Sequence, residues 1–305
     1  MSKNVFLFSG QGSQYPGMGK ELLDAVPSVG IIYECAEDIL GYDLKKICFD
    51  GTSEQLAETR ISQPAIFATS LAALAAAKSK GIPFNGVAGH SLGEYAAMVA
   101  SGVLTMEDGF RAIKARAEAM QDCALRQGGG MVAVLGLAPD IIEAVCKETE
   151  GYVVPVNFNS PAQTVIAGEK DALEKAIAAL SAAGAKRTVA LAVSAAFHSK
   201  LMQPAADRFH EEIADLSFSN PTVPFYSNLT GDLLNDFSDM PAYLAKHIIS
   251  PVHFTDELAS LYRDGYTGYI ELGPNKVLTG LVKKTLKDVT AFHIEDRKTL
   301  DAVQL

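Results

Sequence analysis

A serine inside a glycine-flanked turn is the residue of this sequence with the clearest chemical potential. Residues 89–93 read Gly-His-Ser-Leu-Gly, so Ser91 stands two residues from a glycine on either side. A short apolar segment precedes the turn and an alanine-rich segment follows it, which predicts strand, sharp turn and helix. The sequence therefore predicts a nucleophile elbow, with Ser91 at a helix N-terminus whose free N–H groups can stabilise an oxyanion. A tight turn with a capping serine is the structural alternative.

A serine nucleophile needs a base, and the sequence contains six histidines. His198 lies among small residues at a predicted strand-to-helix junction, where an imidazole can approach another element closely. His90 is predicted to be a packing residue, because its side chain leaves the turn in a different direction, and His210 shares a helix with two glutamates. None of the acids between Ser91 and His198 is predicted to follow a strand on a loop. We therefore predict a Ser91–His198 pair without the carboxylate that completes a triad.

An arginine lies at the margin of an apolar helix face. The predicted helix over 105–122 has an apolar stripe with helical spacing, formed by Phe110, Ile113, Ala117 and Met120. At ~100° per residue, Arg116 falls within ~60° of this stripe, whereas Arg111 points away. A guanidinium in that position needs an anion or a set of acceptors. A salt bridge to a nearby glutamate is one interpretation, and a bound carboxylate, which matches the guanidinium fork, is the other.

The amino-terminal loop over 10–19 is rich in glycine but does not match the phosphate-binding templates. Tyr15 occupies the place of the third glycine in G-x-G-x-x-G, and Met18 stands where a P-loop has lysine. Because the loop follows the first predicted strand, it can instead offer backbone or Gln11 amide donors at the carboxyl edge of the sheet.

Strands alternate with helices along most of the chain, which predicts an α/β fold with a parallel sheet. Two of these predicted elements are a helix over 64–79, for which Ser62 and Pro64 make a start, and a strand over 222–227. Three consecutive glycines, Gly128–Gly130, interrupt this alternation. The residues that follow are predicted to form strand, helix, two strands, helix and strand, which is the order of a ferredoxin-like unit. We therefore predict a large catalytic subdomain from 1–126 and 194–305, with a small ferredoxin-like subdomain inserted at 127–193.

Composition limits the possible classes of protein. The 305 residues are 48% hydrophobic with a net charge of −10, which argues against disorder and, because phosphate binding needs basic groups, against nucleic-acid binding. The longest apolar-leaning run, 64–77, is shorter than the ~20 residues of a membrane span. The amino terminus does not read as a signal peptide, and the four cysteines lack metal-site spacing. These features predict a cytoplasmic protein with reduced thiols and no membrane partner.

Seven short motifs occur in order across nearly the whole chain, and together they resemble the malonyl-CoA:acyl-carrier-protein transacylases. They are FSGQGSQ from Phe8, ISQPA from Ile61, GHSLGEY from Gly89, Arg116, NFNSP from Asn157, AFHS from Ala196 and GPNKVL from Gly273. The resemblance covers residues 3–295 and is specific as a set. It implies an α/β-hydrolase-like large subdomain beside the ferredoxin-like one, and a histidine that a main-chain carbonyl orients in place of a carboxylate.

The resemblance also implies roles for individual residues. Ser91 would be acylated and His198 would be its base, while Arg116 would hold the free carboxylate of the malonyl group. Gln11 and the backbone N–H of Leu92 would form the oxyanion hole. The residues implied to line the substrate pocket are Gln63, Asn159, Phe197 and Met120. A ring at Phe197 fills the space that a branched malonyl group needs, which is similar to the malonyl-selective pattern.

One position departs from the family pattern. Residues 250–254 read Ser-Pro-Val-His-Phe, and close relatives commonly carry glutamine where His253 stands. The backbone carbonyl of this residue is the group implied to orient His198, and any residue type supplies a carbonyl. We therefore expect His253 to orient the catalytic imidazole through its main chain.

The function that the resemblance implies is transfer of a malonyl group from malonyl-CoA to acyl carrier protein through a malonyl-serine intermediate, which supplies extender units for fatty acid synthesis. Malonyl-CoA is then a substrate, and no tightly bound cofactor or metal is expected. A transacylase of polyketide synthesis, a serine thioesterase or esterase, and a non-catalytic carrier-binding scaffold stay open as alternatives. Carrier proteins are acidic, so docking would need a local basic patch, for which the candidates are Lys186, Arg187, Lys200, Lys283 and Lys284.

Overall fold

The computed structural model describes residues 3–193 and 195–304. Its strands are β1 (Lys3–Phe8), β2 (Gly86–Gly89), β3 (Gly130–Leu135), β4 (Val153–Ser160), β5 (Gln163–Gly168), β6 (Arg187–Ala190), β7 (Tyr226–Ser227), β8 (Asp232–Leu233), β9 (Tyr266–Leu272) and β10 (Thr290–Ile294). Its α-helices are α1 (Lys20–Ala25), α2 (Gly30–Leu40), α3 (Leu44–Asp50), α4 (Ser53–Ala57), α5 (Thr59–Ser79), α6 (Gly93–Ser101), α7 (Met106–Gln127), α8 (Pro139–Glu148), α9 (Lys170–Ala182), α10 (Gln203–Glu212), α11 (Met240–Ile249), α12 (Phe254–Arg263), α13 (Val277–Thr285) and α14 (Arg297–Ala302).

A parallel sheet with strand order β10-β9-β1-β2 forms the centre of the larger part of the chain. Residues 5–8 of β1 are all fully buried, as expected for a parallel strand with helices on both faces of the sheet. This sheet confirms the predicted α/β class. The carboxyl ends of β1 and β2 are neighbours, with Phe8 beside Gly89, so the loops that follow the two strands emerge side by side.

The predicted strand over 222–227 is much shorter in the structure. A single parallel bridge joins Phe225 to Val87 at the edge of the sheet, and β7 covers only the last two residues. Pro221 and Pro224 explain the difference, because proline has no N–H to donate to a strand neighbour. The Pro224 carbonyl still accepts a hydrogen bond of 2.9 Å from the Val87 amide.

A separate antiparallel sheet with strand order β4-β5-β3-β6 contains the inserted residues. The six elements run β3, α8, β4, β5, α9 and β6, which is the predicted order. This sheet has a small core of its own, and its strand β4 is joined to the larger part by backbone hydrogen bonds. The Phe158 amide donates to the Val252 carbonyl at 2.9 Å, and the Val252 amide donates to the Val156 carbonyl at 2.8 Å.

Helix α5 begins earlier than the sequence predicts. Its predicted start was at Ser62 and Pro64, but the helix starts at Thr59 and contains Pro64. Proline cannot donate to the carbonyl four residues before it, and the carbonyl of Arg60 accepts the Tyr42 hydroxyl at 3.4 Å instead. The earlier start places the first turns of α5 against α7, which lie together in the core.

Two further predictions concern the helices and the cysteines of the described ranges. Among the helices in these ranges, none has the combination of length and hydropathy that would let it cross a bilayer. All four cysteines are free thiols, and three of them are buried.

Candidate active site

The turn between β2 and α6 places Ser91 in the left-handed region of backbone space, with φ 55°. A side chain at Gly89 would collide with the backbone of Gly93 and Glu94, and one at Gly93 would collide with the Phe8 carbonyl. Glycine is therefore required on both sides, because the turn folds back on itself and packs against the end of β1. This is the strained strand–turn–helix geometry that the sequence predicts around Ser91.

Two side chains from distant parts of the chain contact the Ser91 hydroxyl. Its oxygen lies 2.8 Å from Nε2 of His198, and Nη2 of Arg116 donates a hydrogen bond of 3.0 Å to the same oxygen. All three residues are buried, with Ser91 the most exposed at 9%. The structure thus brings together the hydroxyl, imidazole and guanidinium that the sequence singles out.

Two main-chain carbonyls hold the imidazole of His198. Its Nδ1 lies 3.1 Å from the His247 carbonyl and 3.1 Å from the Ser250 carbonyl. A carbonyl only accepts, so Nδ1 carries the proton and Nε2 has the free lone pair that faces Ser91. This arrangement lets Nε2 take a proton from the hydroxyl without a carboxylate partner.

The expectation for His253 is wrong. Its carbonyl accepts the amide of Glu257 at 3.0 Å in the first turn of α12, and the carbonyls that meet His198 belong to His247 and Ser250, at the end of α11. The physical reason is that the last carbonyls of a helix have no partner within the helix and can accept from another group. A carbonyl at the start of a helix is used by the helix itself.

Burial, and to a smaller extent the positive charge of Arg116 and the nearby His90, lower the pKa of His198 to about 3. The other titratable ring beside it, His247, lies 5.6 Å away and has a pKa lowered in the same way, mainly by burial. A lowered pKa means that the imidazole stays neutral, and able to accept a proton, far into the acid range. Above pH 5 His198 is therefore in its basic form.

This shift predicts an unusual pH profile for acylation. Between pH 7 and 5.5 the rate of acyl transfer to Ser91 should stay constant, whereas a base with the ordinary pKa of ~6.5 would lose about tenfold. Rapid-quench measurement of the first turnover across this range checks it. An inflection near pH 6.5 in the first-turnover rate would contradict it.

Arg116 lies on the inner face of α7 and is 1% exposed. Its Nη1 donates to the Gln63 amide oxygen at 2.7 Å, and its guanidinium carbon lies 5.6 Å from the ring centre of Tyr95. Nε has no hydrogen-bond partner, and within the described ranges no carboxylate forms an ion pair with Arg116. The salt-bridge interpretation therefore does not hold, and the guanidinium has neutral partners that leave its charge available to a bound anion.

A cavity of about 280 Å³ opens above these groups, between the two sheets. The predicted site residues that line it are Gln11, Ser91, Arg116, Met120, Asn159, Phe197 and His198. Gln63 lies behind Arg116, where it also donates to the sulfur of Met120 at 3.5 Å. The cavity therefore contacts both the parallel sheet and the inserted antiparallel one.

Three of the predicted site residues, Gln11, Leu92 and Asn159, have defined positions at or beside this cavity. Nε2 of Gln11 donates to the Thr59 hydroxyl at 3.4 Å, so the amide lies beside the first turn of α5. Leu92 is buried and does not line the cavity, but its backbone N–H precedes α6 and has no acceptor among the described residues. Asn159 pairs with the His90 ring, Oδ1 to Nε2, at 2.8 Å, so His90 joins the serine turn to β4 as well as packing against Phe254.

The candidate basic residues for carrier docking lie on three separate elements, and all are exposed. Lys186 and Arg187 lie at the start of β6, and Lys283 and Lys284 in the last turn of α13. Lys200 places its ammonium 4.2 Å from the ring centre of Tyr152. Docking through any of them stays a prediction.

A buried polar network behind Ser91 was missed at the level of sequence. The side-chain oxygen of Asn228 accepts a hydrogen bond of 2.7 Å from the Ser91 backbone amide. The backbone amide of Asn228 donates to a carboxyl oxygen of Glu94 at 2.6 Å. The Tyr243 hydroxyl also donates to Glu94, and burial raises the pKa of this glutamate to about 8. The only local signal was the turn sequence Ser-Asn-Leu-Thr-Gly at 227–231, which predicts a loop but no contact with Ser91.

Among the described residues, no three His, Cys, Asp or Glu side chains are grouped so that they could hold a metal ion. The site consists of a hydroxyl, a neutral imidazole, a guanidinium and amide donors around one cavity. Such a set can form and break an acyl-serine ester on a substrate that carries a negative charge.

Comparison with known proteins places this arrangement in context. The model of the acyl transferase domain family matches residues 5–301. A malonyl CoA-acyl carrier protein transacylase of Salmonella typhimurium is 40% identical over 305 residues, which is 99% of this chain and 99% of the relative. The crystal structure of MCAT from Streptococcus pneumoniae is 40% identical, with a TM-score of 0.93 over 98% of each chain. A malonyl-transacylase in complex with a type II PKS acyl-carrier protein is 37% identical, with a TM-score of 0.94 over 98% of each chain.

Proposed function

Because the chain belongs to the acyl transferase family, as a malonyl-CoA:acyl-carrier-protein transacylase, we propose that Ser91, His198 and Arg116 carry out its reaction. The enzyme transfers the malonyl group of malonyl-CoA to acyl carrier protein for fatty acid synthesis. The observation that supports these roles is the contact of one hydroxyl with both other groups: Ser91 Oγ lies 2.8 Å from His198 Nε2 and 3.0 Å from Arg116 Nη2.

In the first step, Nε2 of His198 removes the Ser91 proton while Oγ attacks the thioester carbonyl of malonyl-CoA. The C–O bond forms, and the carbonyl oxygen becomes an oxyanion that the Gln11 amide and the Leu92 N–H stabilise. Collapse breaks the C–S bond, and the proton on His198 leaves with the CoA thiolate. In the second step the carrier thiol loses its proton to His198 and attacks the malonyl ester, and Ser91 Oγ leaves and takes that proton back.

Arg116 selects the acyl group in this proposal. Its fork can bind the malonyl carboxylate bidentately, and its partners Gln63 and Tyr95 carry no charge that would compete. An acyl group without a carboxylate would leave a buried guanidinium unpaired, which is unfavourable. Phe197 and Met120 line the same cavity, and we assign to Phe197 the exclusion of branched malonyl groups.

The architecture that we propose is an α/β-hydrolase-like subdomain, from 1–126 and 194–305, with a ferredoxin-like subdomain at 127–193. The strand order β4-β5-β3-β6 and the strand–helix–strand–strand–helix–strand sequence support the second assignment. The parallel sheet with a serine turn after β2 supports the first. Unpaired thiols on all four cysteines support a cytoplasmic location.

The experiment that tests this function is intact-mass measurement after brief exposure to malonyl-CoA without carrier. We expect one malonyl group per chain, mapped by peptide analysis to Ser91. Ser91→Ala is the matched control and should carry no added mass. An adduct elsewhere, or none on the parent protein, would rule out the proposed intermediate.

Two alternatives give different results in the same sample. A thioesterase would release CoA and free malonate continuously, whereas a transacylase should stop after one CoA per chain. The complex of a related transacylase with a polyketide carrier favours a second candidate, transfer to a polyketide carrier protein. Comparing kcat/KM for fatty acid and polyketide carriers distinguishes these two acceptors.

A further inference from the structure

Asn228 lies directly behind the Ser91 turn, is fully buried and has a partner for every polar atom. Its backbone amide donates to Glu94 at 2.6 Å, and its backbone carbonyl accepts the His253 amide at 2.9 Å. Its side-chain oxygen accepts the Ser91 amide at 2.7 Å, and Nδ2 donates to the Gly89 carbonyl and to Glu257 Oε2, both at 2.6 Å. The residue therefore connects the end of β2, the serine turn, α6 and α12.

The Ser91 amide depends on this contact. Ser91 precedes α6, so its N–H has no carbonyl within the helix, and among the described residues its partner is Oδ1 of Asn228. Its backbone is also in the left-handed region, which costs free energy for a residue other than glycine. A strained turn persists only when its surroundings hold it, and the Asn228 amide is the side chain that does so here.

Glu257 and the Gly89 carbonyl determine which way the Asn228 amide faces. Rotation of the amide by half a turn would exchange its oxygen and nitrogen, and would place a donor against the Ser91 N–H. The Gly89 carbonyl and Oε2 of Glu257 both oppose this exchange, because each accepts from Nδ2 and would then face an oxygen. Burial also raises the pKa of Glu257 well above its usual range.

We propose that Asn228 and Glu257 are positioning residues for the nucleophile, with Glu257 fixing the Asn228 amide and Asn228 fixing the backbone of Ser91. Neither lines the cavity, so both act through the turn and neither acts on the substrate. The inference rests on the proposed role of Ser91. It predicts a loss in the rate of acylation with no loss in the binding of malonyl-CoA.

Three variants test whether Glu257 controls the position of Ser91 through Asn228. Glu257→Leu removes the acceptor, and the acylation rate per active site should fall by about 10-fold to 100-fold with KM for malonyl-CoA unchanged, as small misplacements of reacting groups do. Glu257→Gln keeps a carbonyl oxygen and should restore the rate to within about twofold of the parent. The matched control is Ser260→Ala, which removes another buried bond from α12 to the same loop, from the Ser260 hydroxyl to the Gly231 carbonyl at 2.9 Å. It should lower the thermal midpoint and leave acylation unchanged.

Rates are taken from single turnovers and divided by the burst amplitude, so that unfolded protein does not enter. Equal rates in Glu257→Leu and the parent would overturn the proposal, and so would equal losses in Glu257→Leu and Glu257→Gln. A double-mutant cycle adds a second check. Because Glu257 acts through Asn228, Glu257→Leu should have no further effect on acylation in an Asn228→Ala background, and additive losses would contradict this.

Glu257→Gln and Asn228→Ala keep the test available if Glu257→Leu does not fold. In that case Asn228→Ala alone should show the 10-fold to 100-fold loss of acylation rate at unchanged KM, about the size expected for a misplaced nucleophile. Measurements on the parent protein distinguish a failure of the proposed function from a failure of the positioning role. If the parent shows no malonyl burst, the proposed function fails, whereas a normal burst with insensitive variants refutes only the positioning role.

Discussion

Replacing His198 by alanine is expected to lower the rate of malonyl transfer to Ser91 by about 10⁴-fold or more, as loss of the base does in other serine enzymes. The reason is that the serine hydroxyl keeps its proton at neutral pH, and no other side chain with a free lone pair touches Oγ in the described structure. Arg116, the other group at this oxygen, can only donate. Single-turnover measurement with malonyl-CoA gives the rate directly.

The matched control for this variant is His210→Ala. His210 is exposed on α10 and does not line the active-site cavity, so its removal should leave the rate unchanged. Raising the pH should partly restore His198→Ala, because hydroxide can then take over proton removal. A loss of less than tenfold would show that the imidazole is not the base.

Replacing Arg116 by alanine is expected to weaken the preference of the enzyme for malonyl over acetyl groups. The ratio of kcat/KM for malonyl-CoA to that for acetyl-CoA should fall by about 10²-fold or more, since a buried charge pair with one partner missing costs several kcal/mol. The ratio is the proper measure because Arg116 also donates to Ser91 Oγ, and that contact affects both substrates equally. Steady-state assays with the two thioesters and one carrier give both constants.

Two companion variants separate charge from structure at this position. Arg111→Ala on the same helix removes an exposed arginine that bonds to Asp108 one turn away and does not line the cavity, so the preference should not change. Gln63→Glu would place a carboxylate where an amide now lies, 2.7 Å from Nη1, and should raise KM for malonyl-CoA by occupying the guanidinium. Equal losses on both substrates in Arg116→Ala would assign it a structural role.

The inserted sheet shows how much of the fold the local sequence pattern can predict. Alternating strands and helices, with clear turn residues between them, predicted all six elements of residues 127–193 in order. The edge segment at 222–227 was less predictable, because its apolar residues resemble a strand. Pro224, and Pro221 just before the segment, leave it a single bridge to the parallel sheet and the two-residue strand β7. The start of α5 was misplaced for a related reason. A tertiary contact, the Tyr42 hydroxyl on the Arg60 carbonyl, makes an internal proline acceptable.

The sequence by itself determined those features of the candidate site that depend on residues close together in the chain. The glycines around Ser91 require a tight turn, and the stripe on α7 turns Arg116 toward the core, because both follow from backbone geometry over a few residues. The resemblance of the seven motifs then assigned Ser91 and Arg116 to the active site of one enzyme family.

Only the tertiary structure decided which groups hold these residues in place. The carbonyls on His198 come from the end of α11, about 50 positions along the chain, and not from His253. Asn228 lies 137 positions from the Ser91 amide that it binds. A carbonyl or amide is present at every position of a chain, so residue type does not reveal which one serves as a partner. That choice depends on the packing of α11 and α12 against the serine turn, which is set by contacts between residues far apart in sequence.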